Sequence, residues 1–79
     1  MTKATKLDQE IGKKIRINRI FKKKTRTWLC KKLGKSYQQV QNYESGKHRI
    51  AASMLHKISE LLGIKIENFF PEKNIKKDS

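Results

Sequence analysis

Four polar side chains near the middle of the chain share a direction. In a helix, about 100° per residue sets Gln38, Gln41, Asn42 and Ser45 on one side, with Tyr37 at the margin. Val40, Tyr43 and Glu44 then lie on the other side. Gln and Asn each present a donor and an acceptor together, the pattern that bonds adenine N6 and N7 in the major groove. Each such pair discriminates between bases by roughly 1–3 kcal/mol. A solvated helix face uses the same residues, so the amides alone decide nothing. Their surroundings do. Residues 11–50 hold nine Lys and four Arg against Glu44 alone, a net +12 out of the chain's +13. Charge concentrated in this way calls for a polyanionic partner. The Lys runs at 13–14, 22–24 and 31–32 read as phosphate contacts or as steering charge.

The elements that must hold this face follow from the punctuation. Asp8, with Gln9 and Glu10, supplies acceptors and negative charge where a helix begins. Ile11, Ile15, Ile20 and Phe21 continue it as an apolar stripe to about Lys22. Thr25 caps a second helix, whose Leu29, Cys30 and Leu33 face inward and which Gly34 closes. Ser36-x-x-Gln39 is a capping box, so a third helix starts at once and runs to Ser45, stopped by Gly46. Two short helices joined by so tight a Gly-containing turn form a helix-turn-helix. A loop, Lys47 to Ile50, leads to a fourth helix with Leu55, Ile58 and Leu62 at core spacing, closed by Gly63. Ile66 to Phe70 adds a last short turn before Pro71. No stretch alternates as a strand would. The expected fold is all-α, a compact bundle of about five short helices. Its domain spans 8–70, between a flexible 1–7 and a polar tail at 71–79.

Ile11 to Phe70 resembles the phage-repressor (Cro/CI-type, XRE-like) helix-turn-helix family, whose fold is lambda-repressor-like. The resemblance rests on Ile11, Gly12, Ile15, Arg16 and Arg19 in the first helix, and on Leu29-Cys30-Lys31-Lys32-Leu33-Gly34 in the second. It continues through Val40-Gln41-Asn42-Tyr43-Glu44-Ser45-Gly46-Lys47, then Leu55, Ile58, Leu62-Gly63-Ile64 and Phe69-Phe70. It implies that Tyr37, Gln38, Gln41 and Asn42 read bases. Arg26 stands where the family usually has a Gln that touches a phosphate and braces the recognition helix. Lys47, His48 and Arg49 lie in a loop that the family runs along the DNA backbone, and Lys35 and Ser36 in the turn join them as phosphate contacts. Arg19 and Glu44 match a pair that ties the first helix to the recognition helix. Departures from the family pattern are Asn18 and Lys24 at usually apolar positions, Lys35 at a turn position that is often Val, and Ile50 for a common Pro.

Residues 51–70 are different in kind: they carry no net charge and nine large apolar side chains from Met54 to Phe70. A small core has no room for all nine. With Leu55, Ile58 and Leu62 closing the core, Leu61, Ile64, Ile66 and one of Phe69 and Phe70 remain near the surface, as candidate dimer contacts. The family resemblance also implies dimer contacts in this region.

Other chemistry finds little support. Cys30 is the single cysteine, which excludes an internal disulfide and fits a reducing, cytoplasmic setting. It falls where the family has a small Ala, and reads as a buried, inert thiol. His48 and His56 are not at metal-ligand spacing, no cofactor is implied, and no catalytic set is suggested. No apolar run is long enough for a membrane span. Trp28 reads as a half-buried rim residue. The expected function is a transcriptional regulator of repressor type, binding double-stranded DNA as a homodimer on an inverted repeat. Two alternatives stay open at this point. One is the antitoxin of a toxin–antitoxin pair, with a protein toxin as partner. The other is a nonspecific nucleic-acid-binding protein. A protein partner such as a toxin or polymerase is compatible with the first two readings.

Overall fold

Capping sets most of the helix boundaries. The computed structural model describes residues 5–71. Helix α1 runs Lys6–Phe21, α2 Arg26–Leu33, α3 Tyr37–Ser45 and α4 Ala52–Leu62. A 3-10 segment, Ile66–Phe69, forms the last short turn expected there, so the bundle has four α-helices and this turn rather than about five helices. No strand occurs among the described residues. Helix α1 starts earlier than Asp8 suggested, because Thr5 is the cap. Thr5 Oγ1 accepts from the Asp8 amide, and the Asp8 carboxylate accepts in return from the Thr5 amide at 2.6 Å. The spacing Thr-x-x-Asp is the signal for this. Thr25 and Ser36 cap α2 and α3 as expected, while α4 begins at Ala51 without a side-chain cap. Residues 1–4 and 72–79, most of the expected terminal segments, lie outside the described residues.

The three helices from Lys6 to Ser45 close on each other around α3, and α4 with the 3-10 turn covers the remaining side. The core is Ile11 and Ile15 of α1, Leu29, Cys30 and Leu33 of α2, Val40 of α3, Leu55, Ile58 and Leu62 of α4, and Phe69. Gly12 makes the α1–α3 approach possible: a Cβ there would collide with the Tyr43 and Glu44 carbonyls. Gly46 ends α3 at φ +80° with its Cα against Gln9, a place that admits no side chain. Burial pushes the Cys30 thiol up, as expected for an inert core sulfur. Trp28 is half-buried, with Lys24 Nζ 4.9 Å from its ring centroid.

Two expectations about apolar residues are corrected. Ile20 and Phe21 do not extend the buried stripe of α1: they are 50% and 76% exposed, because the bundle covers only one side of the helix. Phe69, a candidate interface residue, is fully buried in its own monomer, since the 3-10 turn folds it back against α1 and α4. After Phe21 the chain turns through Lys23 at φ +60°, donating from Lys23 to the Ile20 carbonyl and from Lys24 to that of Arg19. A side chain in this left-handed conformation costs roughly 1–2 kcal/mol. Lys23 thus occupies the closing position where Gly is usual.

Candidate nucleic-acid interface

Helix α3 is fixed at both ends and from behind. At its start, Ser36 Oγ accepts from the Gln39 amide at 3.1 Å, and Gln39 Oε1 accepts from the Ser36 amide at 3.3 Å. The Ser36 hydroxyl hydrogen stays available to donate. At its end, the Asn42 carbonyl accepts from the amides of Lys47 and His48, which holds the start of the loop against the helix. Behind it, the Glu44 carboxylate is 2% exposed and shared by two guanidinium groups. Arg19 donates through Nε at 2.7 Å and Nη2 at 3.2 Å, and Arg26 through Nε at 3.0 Å. Arg19 Nη1 also donates to the Lys24 carbonyl at 2.7 Å, so its fork is filled. Burial works against the charge on Arg26, but its bond to Glu44 and the carboxylate's proximity outweigh that and raise its pKa further.

This network joins residues that sequence reasoning treated separately. Arg19 and Glu44 pair as the resemblance implied. Arg26 has a larger bracing role than expected: it belongs to the same cluster and also donates from Nη1 to the Tyr37 hydroxyl at 3.1 Å, with its guanidinium 5.4 Å from the Tyr37 ring centroid. Its side chain is 21% exposed. Tyr37, half exposed, is therefore held in one orientation at the first turn of α3. Gln38 and Gln41 are exposed and Asn42 is partly so. Gln38 Nε2 donates to Asn42 Oδ1 at 3.1 Å, a pairing that the i,i+4 spacing could have revealed. It orients one acceptor and one donor before any ligand arrives.

The flanking polar side chains divide. Lys47 and His48 are exposed, and Lys35 is half-buried in the turn with its amide bonded to the Cys30 carbonyl. Arg49 is tethered: its Nε lies 3.5 Å from Asp8 Oδ2, an ion pair 41 residues apart in sequence that nothing local signals. On the far side of the bundle Leu61, Ile64 and Ile66 are half-buried and Phe70 is exposed. Ile64 and Ile66, with His56, Ser59, Glu60 and Lys65, line a shallow groove of about 460 Å³. No group of His, Cys, Asp and Glu among the described residues could hold a metal, and no helix is long and apolar enough to cross a membrane.

Residues 15–69 match the family model described as helix-turn-helix. An uncharacterized transcriptional regulator in the ATPase CF(0) region of Rhodospirillum rubrum is 35% identical over 66 residues, covering 84% of this chain and 61% of that protein. An uncharacterized HTH-type transcriptional regulator of Sinorhizobium medicae is 34% identical over 70 residues, covering 89% of this chain and 50% of that protein. The chain thus spans about half to three-fifths of the length of these relatives. Among solved structures, the restriction-modification controller protein C.AhdI from Aeromonas hydrophila aligns with a TM-score of 0.72 at 21% identity, covering 78% of this chain and 94% of that one. The hypothetical transcription factor NHTF from Neisseria aligns at 0.74 and 22%, covering 82% and 75%. At these identities the likeness is one of fold.

Proposed function

Because the chain belongs to the helix-turn-helix family, which is not a family of enzymes, we propose that it is a sequence-specific DNA-binding transcriptional regulator. It acts as a homodimer on an inverted-repeat operator, in the manner of a repressor. The observation that carries this reading is the α3 face itself. Tyr37, Gln38, Gln41 and Asn42 point outward from a helix that a buried Arg19–Glu44–Arg26 cluster and a capping box hold rigid. Rigidity matters because base discrimination requires donors and acceptors in place before contact. Arg26, Lys35, Ser36, Lys47, His48 and Arg49 flank the face and supply sequence-independent affinity through phosphates. The work is done where the DNA is, in the cytoplasm.

The dimer rests on a second observation. Two strongly cationic halves repel, so subunits meet through the neutral surface around Leu61, Ile64, Ile66 and Phe70. The partly covered Ile64 and Ile66 line the groove between α4 and the 3-10 turn there. A two-fold dimer presents two recognition helices to half-sites about one helical turn apart, roughly 34 Å. Selection of bound sequences from random duplex DNA at physiological salt tests the reading. An enriched palindrome is expected; no enrichment, with binding that follows charge alone, overturns sequence specificity.

A further inference from the structure

Helix α1 carries an exposed feature that DNA reading does not use. Ile17, Ile20 and Phe21 sit at i, i+3 and i+4 near its end, and each is half exposed or more. Ile17 and Phe21 lie about 140–180° round the helix from Gly12, the residue by which α1 meets α3. They therefore face away from the recognition helix. Lys14, one turn before Ile17, separates the strip from Phe70, with which it lines a shallow cleft at the edge of the neutral surface. Such strips on small domains mark interfaces.

The rim says what kind of partner fits. Lys14 precedes the strip on α1, and Lys22, Lys23 and Lys24 follow it in the turn, while Lys13 and Arg16 line a separate pocket with Glu44 and Ser45 of α3. Lys23 holds the left-handed position that a glycine would fill without strain and adds a cation at the end of the strip. Glu67 is the one acid lining the cleft beside Lys14 and Phe70. A second copy brought to this surface sets cations against cations, whereas the α4 groove carries Glu60 and Glu67 beside Lys65. Nucleic acid matches the charge and leaves the aliphatic side chains without a counterpart. We infer that the C-terminal end of α1 is a docking surface for an acidic, amphipathic segment of a protein partner. Its apolar side chains cover Ile17, Ile20 and Phe21, and its carboxylates meet the surrounding Lys. Since the strip faces away from α3, the partner is held while the recognition helix is occupied.

The test is a titration of the full chain with a synthetic helical peptide carrying Leu on one face and Glu on the other, followed by backbone amide NMR shifts. The control peptide has Lys in place of Glu. Shifts are expected around residues 17–22, with none for the control. The I17S/F21S double variant, whose charge is unchanged, is expected to bind the peptide about tenfold more weakly or worse. It should keep its circular dichroism and its affinity for duplex DNA. K14Q/K23Q, which leaves the strip intact, should also weaken the peptide, and reads the same surface should the first variant misfold. Equal binding by I17S/F21S, or shifts confined to α3 and the 47–49 loop, overturns the proposal in favour of charge alone. Self-association in sedimentation that I17S/F21S abolishes overturns it in favour of a second copy. Recruitment of wild type but not I17S/F21S to phosphatidylglycerol vesicles, without peptide binding, overturns it in favour of a lipid surface.

Discussion

Removing Arg19 is the sharpest perturbation of the scaffold behind the recognition helix. Its side chain is 8% exposed and makes two bonds to Glu44 and one to the Lys24 carbonyl. Breaking a buried pair by deleting one partner costs about 3–5 kcal/mol. Here Arg26 remains on Glu44, so the lower end applies, about 3 kcal/mol. For a domain of this size that lowers the midpoint by roughly 12–24 °C, at about 4–8 °C per kcal/mol. Arg26→Ala leaves the Arg19 fork intact and removes a more exposed group, so solvent screening reduces its cost to about 1 kcal/mol. The expected order in thermal melts is therefore Arg19→Ala far below Arg26→Ala, and Arg26→Ala a little below wild type. Because the pair is buried, the gap should persist in 1 M salt, where a surface pair is screened away. Arg19→Ala melting with wild type, or a gap that vanishes in salt, would refute a buried structural pair.

Other outcomes follow from the same geometry. Gln38→Ala should cost roughly 1–3 kcal/mol on the preferred duplex and little on random DNA, whereas Arg49→Ala should weaken both alike; competition binding on the two duplexes separates them. Affinity should fall with salt at a log–log slope of about −0.9 per phosphate contacted, and a slope near zero in a salt titration would remove the electrostatic account. The Thr5 amide donating to Asp8 holds its carboxyl below the ordinary range against the opposing pull of burial, helped by the Thr5 hydroxyl and Arg49. A depressed folded-state pKa stabilises fully above the unfolded value of about 3.9 and is lost as pH falls through the lower folded value. Melts between neutral and strongly acid pH should thus show an acid-sensitive component that Asp8→Asn lacks. Ile66→Asp should give a folded but largely monomeric protein with weakened operator binding, read by ultracentrifugation and circular dichroism; an undisturbed dimer removes Ile66 from the interface.

What the residues determined by themselves is what hydrogen bonding settles over four positions. Helix ends leave amides and carbonyls unsatisfied, and the side chain that satisfies each lies within a turn of it. Thr25, the Ser36–Gln39 box and the glycines at 34, 46 and 63 therefore marked the helix-turn-helix and its neighbours before any coordinates did. The outward amide face of α3 was legible for a similar reason, since helical spacing is a local property. Helix α1 starts before Asp8 because Thr5, its partner in the box, is the cap. Tertiary structure decided which groups from distant parts of the chain meet. Glu44 was recognisable as the one acid in a cationic half. That it takes both Arg19 and Arg26, and that Arg26 then reaches Tyr37, depends on how α1, α2 and α3 pack. The same holds for Asp8 and Arg49. Burial is the clearest case. Apolar residues mark where a helix is able to be covered, but coverage belongs to the neighbour. Phe69 is enclosed because the 3-10 turn docks against α1 and α4, while Phe21, equally apolar, stays 76% exposed because none of the described elements packs over it.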